Sequence, residues 1–298
     1  MEKIVLISHN ALGDTLCMTC ALRAYKEANP DHFVTLVTHS AGYTQILEGN
    51  PDIDLLIYSD HMLFHGLKNY SEEFLYSLPL DFSVPQQVRL MDMKLFCTTE
   101  AVFQEHISTG FTKYLGVPVI RTRPYVFLTE SDRSAARSLV KEPYVVISLH
   151  SNSNPPREDG NGNKKDWPVE SWARLCQLLL AKGIKDIVAI GSEYDQRYGS
   201  PVWRNLYGLP IRITAALLEQ TACVVTLENG IGHLAHGVDA PTVMIYSDLM
   251  PLPWAAPNEA SNVRVLYGDP HSFSPEAVCE EVEIVLSKAG ACNTLIEM

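Results

Sequence analysis

The 298-residue sequence has no apolar run approaching the roughly 20 residues that a membrane-spanning helix requires. Its opening segment, Met1 to Ile7, is short and strand-like, without the layout of a secretory leader. It also lacks a basic block. There are 23 Lys and Arg against 35 Asp and Glu, a net charge of −12, and residues 1–130 and 131–298 each carry half of that excess. A phosphodiester backbone demands a concentrated positive surface, so nucleic acid is not an expected partner. Purely electrostatic docking to an anionic bilayer is disfavoured for the same reason, which leaves at most peripheral membrane association. Low-complexity tracts and short repeats are missing. Cys17-Met18-Thr19-Cys20 has no second Cys-x-x-Cys beside it, and no His, Cys, Asp and Glu set has metal-ligand spacing, so no metal is expected. Seven cysteines without an export pattern read as reduced thiols in a cytoplasmic protein. Cys17 and Cys20 read as small apolar residues on the buried face of a helix.

Hydrophobic residues make up 46% and charged residues 19%, the balance of a globular chain with a sizeable core. At about 150 residues per domain, the length suggests two domains. The first half alternates. A strand at Ile4–Ile7 is followed by a helix over Thr15–Ala28, with Leu16, Cys20, Ala24 and Ala28 at helical spacing and Asn29-Pro30 as its stop. The β-branched run Phe33–Thr38 is a second strand, followed by a helix near Gly42–Glu48 and a strand at Asp54–Tyr58. Residues 60–96 have weak periodicity and read as loops and short elements. A helix over Thr99–Leu115, a strand at Tyr125–Leu128 and a short helix at Ser131–Val140 lead to Glu142-Pro143, a candidate hinge. The second half restarts at the apolar strand Tyr144–His150. A polar loop, Ser151–Asp166, precedes a helix from Trp167 to Leu180. Strands at Asp186–Ile190, Cys223–Leu227 and Pro241–Tyr246 alternate with helices near Thr214–Thr221 and His233–Val238, and Pro275–Lys288 forms a last amphipathic helix. The order implies an α/β fold of two Rossmann-like domains with parallel sheets, 1–142 and 143–298.

In such sheets ligands bind beyond the C-terminal strand ends, and the chemically equipped residues cluster there. Glu228-Asn229-Gly230-Ile231-Gly232-His233 runs from a strand into a helix, whose free N–H groups and dipole suit a diphosphate. The alternative is a plain tight turn with Glu228 as a cap. Lys165, just before Trp167-Pro168, can neutralise a leaving phosphate; otherwise it, like Lys164, is a solvated loop lysine. Asp14, after Gly13 at the first strand–helix turn, is a candidate general base, or a carboxylate complementing the helix dipole.

Together these pieces resemble a known family. Asn10-Ala11-Leu12-Gly13-Asp14-Thr15-Leu16 resembles the N-terminal Gly-Asp motif of the heptosyltransferases, glycosyltransferase family 9. Lys165-Asp166-Trp167-Pro168 with Trp172 resembles the family's Lys-x-Trp-Pro segment, and Gly191-Ser192-Glu193-Tyr194-Asp195 its Gly-x-x-x-Glu/Asp turn. Glu228-Asn229-Gly230-Ile231-Gly232-His233-Leu234-Ala235, followed by Ala240-Pro241, resembles its Asp-Ser/Thr-Gly-x-x-His-Leu block. The resemblance implies a GT-B architecture, with two domains facing each other across a cleft and the last helix packing back on the first domain. The C-terminal domain would bind a nucleotide-sugar, ADP-heptose in the family, and the N-terminal domain a glycan, glycolipid or protein acceptor such as lipopolysaccharide core, at the inner face of the membrane in that case. Transfer would be inverting, with no metal and no cofactor. By position, Asp14 would be the base; Lys165, Asn152 and Ser153 would hold the diphosphate; Asn229, Gly230 and His233 would contribute from the helix start. Asp195 would contact the ribose, Leu209 with Pro210 would line the adenine pocket, and Glu228 would lie near the sugar. Two features depart from the family. Glu228 replaces the usual Asp, and the 154–164 loop looks long enough to form a lid. Arg89, Lys94, Lys113, Arg121 and Arg123 could form a local basic surface for a phosphorylated acceptor, or be scattered solvated charge. Competing assignments are a nucleotide-sugar epimerase or hydrolase of similar fold and a non-catalytic nucleotide-sugar binder.

Overall fold

The computed structural model describes residues 2–59, 78, 80, 86–97, 99–151, 157, 163–193, 195, 199–257 and 262–288, without the side chain of Lys94. In chain order the elements are β1 (Lys3–Ser8), α1 (Leu12–Ala28), β2 (Phe33–Thr38), α2 (Ala41–Leu47), β3 (Leu55–Tyr58), β4 (Gln86–Leu90), α3 (Ile107–Leu115), α4 (Glu130–Arg137), β5 (Tyr144–Ser148), α5 (Val169–Ala181), β6 (Asp186–Gly191), β7 (Arg204–Tyr207), α6 (Ile211–Gln220), β8 (Cys223–Leu227), α7 (Gly230–Gly237), β9 (Thr242–Ser247), α8 (Leu252–Ala255), β10 (Val263–Gly268) and α9 (Pro275–Lys288). Short 3-10 turns occupy Met93–Leu95, Glu100–Gln104 and Pro270–Ser272.

The chain divides into two compact units, 1–127 and 128–298. The division comes before the expected hinge at Glu142-Pro143, because α4 packs on α6. Two ion pairs fasten that contact, Arg133 to Glu219 at 2.6 Å and Arg212 to Asp132 at 2.7 Å. Asp132 also closes the N-terminal capping box of α4 with Thr129.

The first unit holds a four-stranded sheet in the order β3-β2-β1-β4, with every pair parallel. Its β1 and β2 are buried along nearly their whole length, as the apolar runs require. Val5, Ile7, Val37 and Ile57 form one face of the core. Helix α1 buries Leu16, Cys17, Cys20, Leu22 and Ala24 and packs on α3. Cys17 and Cys20 are therefore core residues. Burial raises the Cys17 thiol pKa, with Cys20 and Asp14 adding to the effect, which keeps it protonated and unreactive. The periodic stretch 99–115 is split at His106, whose ring accepts from the Ser108 N–H and caps α3. Residues 125–128 form no strand. The Tyr125 N–H goes to the Thr19 hydroxyl at 2.8 Å, and its ring is held by the Arg23 and Arg121 guanidinium groups at 4.6 and 4.4 Å.

The second unit holds six parallel strands in the order β10-β9-β8-β5-β6-β7. Read from β7 this is the doubly wound 3-2-1-4-5-6 pattern, with its switch point between β5 and β8. The first sheet repeats half of it, with a switch point between β1 and β4. The second core joins Val145, Ile147, Val225 and Ile245 of the strands to Trp172, Leu175 and Leu179 of α5 and to Val278, Val282 and Val285 of α9. Truncating a fully buried Trp such as Trp172 would cost about 3–5 kcal/mol. The apolar stripe of α9 is thus spent on the second unit's own sheet.

Candidate active site

Both switch points carry an asparagine directly beyond a strand. In the second unit Asn229 caps α7, its side-chain oxygen accepting from the Gly232 N–H at 3.0 Å with the Thr226 hydroxyl 3.2 Å away. Its amide nitrogen donates to the Ser148 hydroxyl at 3.1 Å and to the His150 carbonyl at 2.8 Å. All four hydrogen-bonding positions of the amide are used, and the end of β8 is tied to the end of β5. In the first unit, buried Asn10 donates to the Ser8 hydroxyl at 2.9 Å and to the Met91 carbonyl at 2.6 Å, and accepts from the Met93 N–H at 3.3 Å. That ties the end of β1 to the segment leaving β4.

Helix α7 begins at Gly230, earlier than its apolar pattern suggested, so Gly230 and His233 both lie in the first turn. Gly232 is closely packed on its inner side. A Cβ there would lie 2.6 Å from Met244 Cε and 3.3 Å from the Leu227 carbonyl. The absence of a side chain at Gly230 leaves the helix start open to close backbone approach, the arrangement that receives anions elsewhere.

Lys165 reaches this mouth on a short loop fixed at both sides. The Lys164 carbonyl accepts from the Ser247 hydroxyl at the end of β9, at 3.4 Å. Two residues beyond Lys165, Trp167 is buried edge-on against Trp172, with ring centroids 5.0 Å apart, and its indole N–H donates to the Phe273 carbonyl at 3.0 Å. So anchored, the Lys165 ammonium is ion-paired with Glu228, the side chains being only 11% and 16% exposed. The extra methylene of Glu228 gives it this reach, and its backbone carbonyl is held by the Ser151 hydroxyl at 3.2 Å. Neighbouring Asp166 accepts from Asn163 at 3.1 Å and lies 3.3 Å from a His150 ring nitrogen. The Tyr246 hydroxyl pKa is raised strongly by burial and further by the Glu228 charge.

The remaining expected residues separate. Asp195 lies at the end of β6, where its carboxylate accepts from the Ser192 N–H at 2.8 Å and hydroxyl at 2.9 Å and braces that turn. Gly191 is needed there, since a Cβ would lie 2.5 Å from the Asp195 carboxylate. Leu209 is half-buried before α6. Asn152 and Ser153, and most of the 154–164 loop, lie outside the described residues; Arg157 of that loop pairs with Asp269 through two bonds of 2.8 and 3.0 Å. Of the basic residues suggested as a surface, Lys113 is paired with Glu105 at 2.6 Å and Arg121 lies over Tyr125.

In the first unit Asp14 occupies the first turn of α1, half-buried, beside an N-cap, Ala11, that offers no side-chain bond. Its charge raises the pKa values of Tyr43, Cys17 and Cys97; burial is the larger cause in each, and Cys97 is pushed up to about 11. Two features were not anticipated from the sequence. One is the Asn10 bridge. The other is a ring cluster at the ends of β1 and β2, where His9 and His39 stack with centroids 4.2 Å apart and Tyr43 meets His39 edge-on at 5.6 Å. Among the described residues no three His, Cys, Asp or Glu side chains form a set that could hold a metal ion. No described helix is long and apolar enough to cross a membrane.

Two Rossmann-like units, each with polar side chains gathered at the strand ends of its switch point, define an α/β protein of the GT-B class. The family model for glycosyltransferase family 9 (heptosyltransferase) matches residues 99–283, and the chain belongs to that family. Lipopolysaccharide heptosyltransferase 2 of Salmonella typhimurium is 26% identical over 159 residues, which is 43% of this chain and 45% of that protein. The match therefore spans less than half the length of this curated relative. The solved glycosyl transferase family 9 protein of Veillonella parvula superposes with a TM-score of 0.72 at 18% identity, covering 97% of this chain and 98% of the other. The ADP-heptose lipopolysaccharide heptosyltransferase II of E. coli gives 0.70 at 18% identity, covering 97% and 100%.

Proposed function

We propose that this protein is an inverting, metal-independent glycosyltransferase that moves heptose from ADP-heptose to a hydroxyl group of a glycan, glycolipid or protein acceptor, lipopolysaccharide core among them. The observation that carries the reading is the mouth at the β5–β8 switch point, where half-buried Lys165, the Asn229-capped start of α7 and Glu228 converge. A diphosphate laid against α7 would meet backbone N–H groups, a helix dipole and an ammonium, all fixed before it arrives. The relative and the E. coli neighbour named above are heptosyltransferases, and the neighbour's name specifies ADP-heptose.

In this reading Asp14 accepts the proton of the acceptor hydroxyl as its oxygen attacks the anomeric carbon. The bond from that carbon to the diphosphate oxygen breaks, and ADP leaves with the electron pair. Lys165 and the α7 N–H groups stabilise the charge that develops on the departing oxygen. Asn152 and Ser153 would add contacts to the diphosphate, His233 from the first turn of α7, Asp195 to the ribose, and Leu209 to the adenine. The enzyme needs no cofactor and acts in the cytoplasm, at the inner membrane face when the acceptor is a lipopolysaccharide.

The test is a thermal-shift panel of ADP-, GDP-, UDP- and dTDP-sugars. Ligand at about 100 times its dissociation constant should stabilise the protein by about 2.7 kcal/mol. ADP-heptose should raise the midpoint and the other three classes should not. Stabilisation by a UDP- or dTDP-sugar instead, or conversion of the sugar with no acceptor present, would replace transfer from ADP-heptose with another nucleotide-sugar activity.

A further inference from the structure

The strand register places two histidines side by side. Ser8 pairs with Thr38 as the last matched residues of β1 and β2, so His9 and His39 leave the sheet from adjacent strands, about 4.8 Å apart. Their rings lie almost parallel, 18° between planes. His39 is set by the Ser8 carbonyl, 3.4 Å from its Nδ1, and by the edge of Tyr43 at 82°. Tyr43 is fixed in turn, because α2 is clamped by the Thr44 hydroxyl on the Ser40 carbonyl at 2.8 Å and on Thr38 at 2.5 Å. The Leu12 backbone contacts the Tyr43 hydroxyl, and the ring lies within reach of the Asp14 charge. The residues His9, Asp14, His39 and Tyr43 are half-buried beyond the C-terminal ends of β1 and β2. Among the described residues no further ring covers the outer face of His9. The mechanism above uses Asp14 and none of the three rings.

The chemistry of this wall is specific. Burial and the neighbouring His9 ring hold the His39 pKa below its usual value, so His39 stays neutral near pH 7. A neutral imidazole offers one donor, one acceptor and an apolar face; a phenol adds a hydroxyl. Such a wall can stack on the C–H face of a pyranose while bonding its hydroxyl groups. An anionic substituent would meet the like charge of the Asp14 carboxylate.

We infer that His9, His39 and Tyr43 are the specificity-determining residues on the acceptor side, and that they select an uncharged, hydroxyl-rich sugar ring whose nucleophilic oxygen is presented to Asp14. The inference rests on the proposed transfer reaction for its direction, since it assigns the ring that receives the sugar.

The experiment follows the histidine ring C–H resonances of the full chain by heteronuclear NMR, with ADP present. Probes are methyl α-D-glucopyranoside, methyl β-D-galactopyranoside and, as the charged comparison, methyl α-D-glucuronopyranoside. The His9 and His39 signals, assigned from His9→Ala and His39→Ala, should move saturably with at least one uncharged glycoside. The His39 response should weaken about ten-fold in affinity in His9→Ala. If an alanine variant does not fold, His9→Phe keeps the stack and removes the ring nitrogens, and the same weakening is expected. Immobile signals with both uncharged glycosides, or movement with the glucuronide alone, would overturn the inference. Donor binding and turnover of ADP-heptose are read separately. Ring shifts without donor turnover would sink the transfer reading and leave the sugar site. Turnover with immobile rings would do the reverse.

Discussion

The two units solve one problem with the same residue and then diverge. Asn229 and Asn10 each sit just past a strand at a switch point, and each ties that strand to its neighbour across the gap. Asn229 also caps the following helix, whereas the N-cap of α1, Ala11, offers no side-chain bond. The second mouth is thus braced and electrostatically closed on itself, with Lys165 held by Glu228. The first is lined by aromatic rings around a carboxylate. A braced mouth with an ammonium and a helix start suits a ligand with fixed negative charge, and a ring-lined acidic mouth suits a neutral one. The comparison teaches that two copies of one fold are specialised by what surrounds the shared staple, not by the staple.

The sharpest way to break the comparison is to remove the charged group from each mouth. Asp14→Asn should lower kcat by about 10²–10⁴-fold and leave the ADP dissociation constant unchanged, as followed by calorimetry alongside product formation. Lys165→Met should weaken ADP by about ten-fold or more, because a charge-assisted bond is lost. Weaker ADP binding in Asp14→Asn would erase the division of labour. Next come the staples. Asn229→Ala strands four hydrogen-bond partners and a helix start, and should cost about 3 kcal/mol in urea unfolding. Asn10→Ala strands three partners without a cap and should cost about 2 kcal/mol. Equal costs would mean the cap on α7 adds nothing.

The smallest effect concerns pH. Arg212 pulls the Asp132 carboxyl pKa down to about 2, with help from Thr129. Because folding favours the ionised form, this contribution is complete above about pH 4 and is lost as pH falls towards 2. After allowance for partial exposure, it is roughly 1–2 kcal/mol. Arg212→Met should therefore be less stable than the parent by that amount at pH 6 and nearly equal to it at the acid end. An undiminished gap at low pH would show that the guanidinium acts by packing.

Much of this architecture is legible in the sequence where strands are buried on both faces. The runs at β1, β2, β5, β8 and β9 are near-continuously apolar because helices cover both sides of them. Three strands escaped, β4, β7 and β10, and each is an outer strand of its sheet. With one neighbour instead of two, segments such as Gln86–Leu90 and Arg204–Tyr207 tolerate polar and exposed residues and carry no strand pattern. Missing β4 hid the Asn10 bridge, whose partners follow that strand. Glu228, Asn229, Gly230 and His233 stood out because they lie within one six-residue stretch that runs from a strand into a helix. The His9–His39 stack did not, since it exists only once β1 and β2 are in register, thirty residues apart.

In the proposed reaction, the pairing of Lys165 with Glu228 changes what the donor's phosphate must do. An ammonium in water gives up a hydration shell when it takes an anion; this one has already done so. A ligand has instead to evict a rival anchored on the adjoining β8–α7 loop, and the evicted carboxylate then needs a new neighbour. A sugar hydroxyl beside the diphosphate would supply one, so a single counter-ion exchange would register both halves of the ligand at once.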